Sequence, residues 1–274
     1  EGISRTSSLW AKRGVLVPSP AEKSLEARFL YGITIVALVL SVTLMVGSWI
    51  VASRVAQQIL EQQIANNAKI AAESVPFFLE SGQNLIKQIA NEPYLMDQSP
   101  DEMVASLAEA MRRIPYFSEL ILLDYEGNLL ANYPVTDRGL YITQDETLGV
   151  ELARNGVLIQ FYILPPIGNS PSASLSFISA IQEDETFKGS LIGRTDLYTN
   201  PFAQPILNGL RGIKNIGGKG VLLDEKNRIL FNTDSTQVME VYTGKVLQND
   251  ALYEGLAPDG TRQFVYHRQV IGRP

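Results

Sequence analysis

ELILLDYEGNLLANYP, residues 119–134, is the stretch that decides the fold. An apolar run ends at Asp124. A polar turn containing Gly127 follows, and a second apolar run begins at Leu129. That order predicts a β-hairpin. Further along the chain, residues 219–234 read KGVLLDEKNRILFNTD. Leu122, Leu123, Asp124, Leu130 and Asn132 are matched by Leu222, Leu223, Asp224, Leu230 and Asn232, and Glu126-Gly127-Asn128 is answered by Lys226-Asn227-Arg228. One hairpin of this kind is common. Two with the same internal spacing predict a duplicated module.

Each hairpin follows a predicted helix. Ser99-Pro100-Asp101-Glu102 is a capping box with proline at the first helical position, and Met103, Leu107, Ala110 and Ile114 give one apolar face ending at Pro115. Asn200 caps a second helix over about 200–210, with Pro201 first and Ile206 and Leu210 inward. After the first hairpin, Thr143-Gln144-Asp145-Glu146 opens a short helix that stops near Asn155-Gly156. Three strands then follow over 159–167, 173–182 and 187–197, with SLSFISAI alternating as a half-buried antiparallel strand does. The second half repeats the opening and proceeds through VYTGKVLQ and RQFVYHRQVIG.

Upstream, residues 29–52 read FLYGITIVALVLSVTLMVGSWIVA, without a charge. As a helix this run is about 36 Å long, enough to cross a lipid hydrocarbon core. Arg5, Lys12, Arg13, Lys23 and Arg28 precede it, while only Arg54 follows closely. The N-terminus is therefore expected in the cytoplasm and residues 53–274 on the far side of the membrane. A cleaved signal peptide would need a shorter apolar core and a better cleavage site than Ser48-Trp49-Ile50-Val51. From Ser53 to about Ala90, Leu60, Ile64, Ala68, Ala71, Val75, Phe78, Leu79, Ile86 and Ile89 form one helical stripe. Pro76 is expected to kink it. The distal half is expected to pack on its own domain and the proximal half to form a homodimer seam.

Composition narrows the function. The chain has no cysteine, which excludes disulfides, a thiol nucleophile and Cys-ligated zinc. With a single histidine, His267, a Ser-His-Asp hydrolase or a His-rich metal site is not expected. A net charge of −6 without a basic stripe beyond the anchor argues against nucleic acid.

The paired LLD hairpins, the strands LSFISAIQ and GSLIGRTDL and the closing VYHRQVIGRP, taken in order behind an anchor and a long helix, resemble the double Cache sensor domain of bacterial receptors. The resemblance implies an α+β fold: a transmembrane helix (29–52), a long extracellular helix (53–98), a membrane-distal PAS-like module (99–204) and an incomplete membrane-proximal one (205–274), each built on an antiparallel five-stranded sheet. It also implies the sensor portion of a longer receptor whose cytoplasmic output has been removed. A histidine kinase is the expected output; a methyl-accepting chemotaxis protein, a diguanylate cyclase or a phosphatase is the alternative.

In the amino-acid-sensing branch of that family, a Tyr, four residues, Arg, one residue, Trp, Tyr pattern takes the ligand carboxylate, and a later Asp takes the ammonium. Guanidinium suits a carboxylate because it donates two parallel hydrogen bonds. Tyr133, Arg138 and Tyr141 fit that spacing, with Leu140 where the family has Trp. Asp196 falls at the position of the family's ammonium-binding Asp, and Tyr162 is expected as a second aromatic wall. The expected ligand is a small amino acid, carboxylate or amine, with no cofactor.

Other signals carry less. GGKG at 217–220 lacks the spacing and the Ser or Thr of a phosphate loop. Asp124 and Asp224 each precede a turn, where aspartate is favoured for local hydrogen bonding rather than catalysis. His267 is expected to be structural or exposed. A membrane-anchored enzyme or an adhesive module remains as an alternative class.

Overall fold

The computed structural model describes residues 20–135, 141–234, 237–247, 249–256 and 260–270. The chain divides into two units, Glu1–Gln58 and Ile59–Pro274. Helix α1 (Pro20–Ala90) makes up the described part of the first unit, and its last residues belong to the second. Its most apolar stretch has a mean hydropathy of 2.4 and buries none of its side chains in protein. Thr34 and Thr43 return their hydroxyls to the carbonyls of Leu30 and Val39, both at 2.8 Å. Their polar atoms are thus satisfied within the helix, as an apolar surrounding requires.

The second unit is built on a five-stranded antiparallel sheet of β1 (Glu119–Asp124), β2 (Leu129–Tyr133), β3 (Ile159–Leu164), β4 (Ser174–Glu183) and β5 (Thr186–Asp196), in the order β2-β1-β5-β4-β3. Its first face carries Leu120, Leu122, Ala131, Leu175, Phe177 and Leu191. They pack with Phe78 and Ile86 of α1 and with Met103 and Leu107 of α2 (Pro100–Arg113). The stripe predicted on the distal half of α1 is thereby buried, while Ile59, Leu60 and Ile70 stay half exposed. The other face carries Ile121, Leu123, Ile178 and Ile192 under Val150 of α3 (Gln144–Arg154). Both capping boxes form as the sequence predicts, Ser99 with Glu102 and Thr143 with Glu146.

Close approach of α1 to the sheet depends on Gly82. A Cβ there would lie 2.6 Å from Phe177 Cζ and from the Tyr116 hydroxyl. Tyr116 fills that space, stacked on Phe78 at 5.2 Å and edge-on to Phe117 at 4.9 Å, and donates its hydroxyl to the Phe78 carbonyl at 2.7 Å. The helix runs through Pro76 as one element, so the proline does not end it.

Beyond β5, Asn200 caps a 3-10 turn (Pro201–Ala203) that leads into α4 (Gln204–Asn215). The expected single helix therefore begins as a tighter turn. The second hairpin, β6 (Val221–Leu223) and β7 (Ile229–Asn232), repeats the first in detail. Oδ1 of Asp124 accepts the amides of Glu126 and Asn128 (both 2.8 Å), and Oδ1 of Asp224 accepts those of Lys226 (2.9 Å) and Arg228 (2.7 Å). The register shifts after Leu122 in one and after Leu222 in the other. The positive φ of Gly127 is matched at Asn227. A further ladder joins β8 (Ala251–Leu256) to β9 (Arg262–His267). Among the described residues, VYTGKVLQ forms no strand; only Val241 bridges Arg228. The second half thus carries two separate two-stranded ladders.

Candidate functional site

The face of the large sheet under α3 changes character along its length. Directly opposed residues in antiparallel strands share a face and stand as neighbours. One cross-strand row is Ile121, Ile192, Ile178 and Gln160. The next is Glu119, Arg194, Ser176 and Tyr162, and beyond it Asp196 stands beside Ser174 and Leu164. An apolar floor therefore gives way to charged and hydroxyl side chains within two rows.

Arg194 is the centre of the polar end. Only 8% exposed, it donates Nε to Glu146 Oε1 at 2.8 Å, Nη2 to Glu146 Oε2 at 2.6 Å and to the Tyr141 carbonyl at 2.6 Å, and Nη1 to Glu119 Oε2 at 2.9 Å. Glu146 is fully buried and also accepts the Ser176 hydroxyl at 2.7 Å, the Thr143 amide at 2.9 Å and the Thr143 hydroxyl at 2.9 Å. Burial alone would push the Glu146 carboxyl up. The hydrogen bonds from Arg194 and Thr143 and the Arg194 charge outweigh it and hold the group below its ordinary value. Burial likewise works against the charged guanidinium, and Glu146 and Glu119 reverse it, raising Arg194. Both partners are therefore ionised, and the pair is a saturated buried ion pair rather than two free groups.

Asp196 ends β5 on the same face. Its Oδ1 accepts the amides of Tyr198 (2.6 Å) and Thr199 (3.1 Å) and the Ser172 hydroxyl (3.2 Å). Among the described residues, Oδ2 receives no hydrogen bond. The neighbouring Ser174 is fully buried, and among the described residues its Oγ has no partner. Such an orphaned hydroxyl is uncommon in a folded interior.

Of the residues predicted from sequence, Tyr162 and Asp196 lie on this face, in adjacent rows. Burial, with the Asp145 charge second, raises the Tyr162 phenol. Tyr141 reaches the face through its carbonyl on Arg194, while its side chain is 74% exposed. Tyr133 pairs with Leu120 and packs in the cluster on the opposite face. Arg138 lies outside the described residues. The sequence reading missed Arg194, Glu119, Ser174 and Ser176. Their signal was present in the period of two, which sets Arg194 on the same side as Asp196 and Ser174 on the same side as Ser176. Glu146 was recognised only as a cap, because its second role needs a partner 48 residues away.

A surface groove of about 460 Å³ runs along α2, lined by Tyr94, Asp97, Glu102, Ser106 and Glu109. Glu102 and Glu109 are already engaged by Ser99 and Arg113. Among the described residues no group of three His, Asp or Glu is arranged to hold a metal ion.

No protein-family model matches the chain, and no curated protein matches it. Solved structures do. The ligand-binding domain of the Pseudomonas aeruginosa amino acid chemoreceptor PctC, in complex with GABA, superposes with a TM-score of 0.61 at 17% identity, covering 78% of this chain and 94% of that one. The extracellular domain of the putative histidine kinase rpHK1S-Z16 gives 0.58 at 18% identity, covering 79% and 90%. The ligand-binding domain of the Pseudomonas fluorescens chemoreceptor CtaA, in complex with L-leucine, gives 0.56 at 15% identity, covering 81% and 92%. At these identities the likeness establishes the fold: this chain has the fold of the extracytoplasmic ligand-binding domains of bacterial receptors.

Proposed function

We propose that residues 53–274 are the extracytoplasmic ligand-sensing part of a bacterial membrane receptor. Residues 29–52 hold it in the inner membrane, with residues 1–28 in the cytoplasm. Residues 99–204 act as the membrane-distal sensor module and residues 205–274 as part of a proximal one. The helix-then-hairpin repeat, with the same aspartate bonds in both turns, supports that division. The half-exposed Ile59, Leu60 and Ile70 support homodimerisation through the proximal part of α1. This part of the receptor binds and reports; it does no covalent chemistry. A histidine kinase is the proposed output, supported by the likeness to a kinase extracellular domain. A chemotaxis receptor is the second reading, supported by the chemoreceptor neighbours.

The ligand is proposed to sit on the α3 face of the large sheet and to carry an amine. Arg194 is occupied by internal acceptors, so it offers little to a ligand carboxylate. Among the described residues of this face, Glu119, Glu146 and Asp196 outnumber that one cation, which favours a positive group. Asp196 Oδ2 and Ser174 Oγ are its proposed acceptors, and Tyr162 and Tyr141 its aromatic neighbours. A ligand carboxylate falls to Arg138. The observation that carries this reading is the orphaned, buried Ser174 hydroxyl beside Asp196.

A thermal-shift panel on the full chain in detergent tests it, with GABA, L-alanine, L-leucine, L-glutamine, L-arginine, butylamine and acetate. At least one amine-bearing compound is expected to raise the melting temperature, since a ligand at a hundred times its Kd stabilises by about 2.7 kcal/mol. Asp196→Asn should remove the shift. A panel in which only acetate acts, or nothing does, defeats the proposal.

A further inference from the structure

Ser172 stands just before β4, fully buried, where three segments of the second unit meet. Its hydroxyl donates to Asp196 Oδ1 at 3.2 Å, with the Ala173 carbonyl at 3.3 Å as a competing acceptor. It accepts the Tyr198 amide at 3.0 Å, and the Ser170 hydroxyl lies 3.3 Å away. The backbone of the same residue bridges Phe231 of β7, and the adjacent Ala173 amide donates to the Leu230 carbonyl at 2.8 Å. Leu230 and Phe231 are buried in the core cluster that also holds Ile206, Leu207 and Leu210 of α4. One serine therefore touches the carboxylate at the polar end of the candidate site through its side chain. Through its backbone it touches the second hairpin.

We propose that Ser172 is a positioning residue: its hydroxyl orients the Asp196 carboxylate in the site and ties the state of that carboxylate to strand β7. The physical reason lies in how Asp196 is held. Its Oδ1 organises the turn into α4 through the Tyr198 and Thr199 amides, and the Ser172 hydroxyl shares both Oδ1 and the Tyr198 amide. A cation drawn to Oδ2 would redistribute charge away from Oδ1 and loosen those bonds. Ser172 cannot shift to follow without moving the bridge to Phe231. Coupling of this kind needs a physical connection that both ends bias, and the Ser172 hydroxyl is one. The inference rests on the sensing reading for its biological meaning, because that reading makes Asp196 a ligand contact.

Its test uses no ligand, so a failed thermal-shift panel leaves the outcome intact. Amide hydrogen exchange is measured on the full chain in detergent, reading peptides that cover 196–200 and 229–233, with 120–124 in β1 as the control for folding. Asp196→Asn is expected to accelerate exchange in 196–200 and, by about fivefold, in 229–233, the size set by turning a charge-assisted hydrogen bond to Oδ1 into a neutral one. In the Ser172→Ala background, where the link is already cut, adding Asp196→Asn should leave 229–233 unchanged. A purely structural serine would give additive effects instead. Two results overturn the proposal: Asp196→Asn leaves 229–233 at its wild-type rate, or it accelerates 229–233 equally with and without the Ser172 hydroxyl. The first needs no Ser172 variant, so a poorly folded Ser172→Ala chain does not rescue the idea.

Discussion

Arg194 of β5 and Glu146 of α3 meet in a two-point fork, with Ser176 and Thr143 completing the carboxylate's contacts. Because Glu146 is held below its ordinary value of 4.5, it is harder to protonate in the folded chain than in the unfolded one. Its contribution to stability is therefore fully present above about pH 4.5 and is lost as the pH falls through the lower folded value. Glu146→Gln is expected to cost about 3 kcal/mol at pH 7, since it leaves a buried guanidinium half-paired. The gap between variant and wild type should then narrow steadily below pH 4.5. Urea unfolding midpoints at pH 7, 5 and 3.5 measure this. A gap that stays constant down to pH 3.5 would mean that the Glu146 charge contributes nothing to the fold. The same fork bears on the proposed specificity, because a guanidinium so occupied would leave recognition of an amine on this face to Asp196.

At the scale of elements, α1 is held to the sheet by an approach that leaves no room for a methyl group at Gly82. Gly82→Ala forces Phe177 or Tyr116 to move, and Tyr116 is fixed by its bond to the Phe78 carbonyl and by four ring contacts. Overpacking of this kind costs about 1–3 kcal/mol. The variant should melt several degrees lower, read by circular dichroism, while Gly47→Ala, in open space on the same helix, should melt like the wild type. Equal melting of the two variants would show that α1 is free to shift on the sheet. The hairpins were legible from sequence because each is closed by one aspartate acting on amides two and four residues ahead. The helix starts were legible for the same reason, as Ser99–Glu102 and Thr143–Glu146 are three residues apart. Boundaries drifted where geometry was decided elsewhere. The helix expected from Asn200 opens as a 3-10 turn, and β8 occupies 251–256 rather than the VYTGKVLQ segment.

For the whole molecule, the exposed apolar helix of the first unit requires a covering that water does not provide. The absence of cysteine gives a clean background for single-cysteine labelling in cells. With an impermeant maleimide, Lys226→Cys, whose side chain is exposed in the β6–β7 turn, should label in spheroplasts. Ser8→Cys should label only after the membrane is opened. The reverse pattern would invert the proposed topology, and labelling of both in intact spheroplasts would remove the anchor altogether.

By itself the sequence determined the apolar run, the helix caps, the two matching turns and the strands of the first sheet. Each depends on residues a few positions apart, where spacing fixes geometry before any tertiary contact forms. Only the tertiary structure decided which side chains share the α3 face. That choice rests on pairings such as Glu119 with Arg194 and Arg194 with Glu146, which lie 75 and 48 residues apart. It set Tyr133 on one side of the sheet and Tyr162 with Asp196 on the other. Strand order and register, not local pattern, select the neighbours of a charge buried in a sheet.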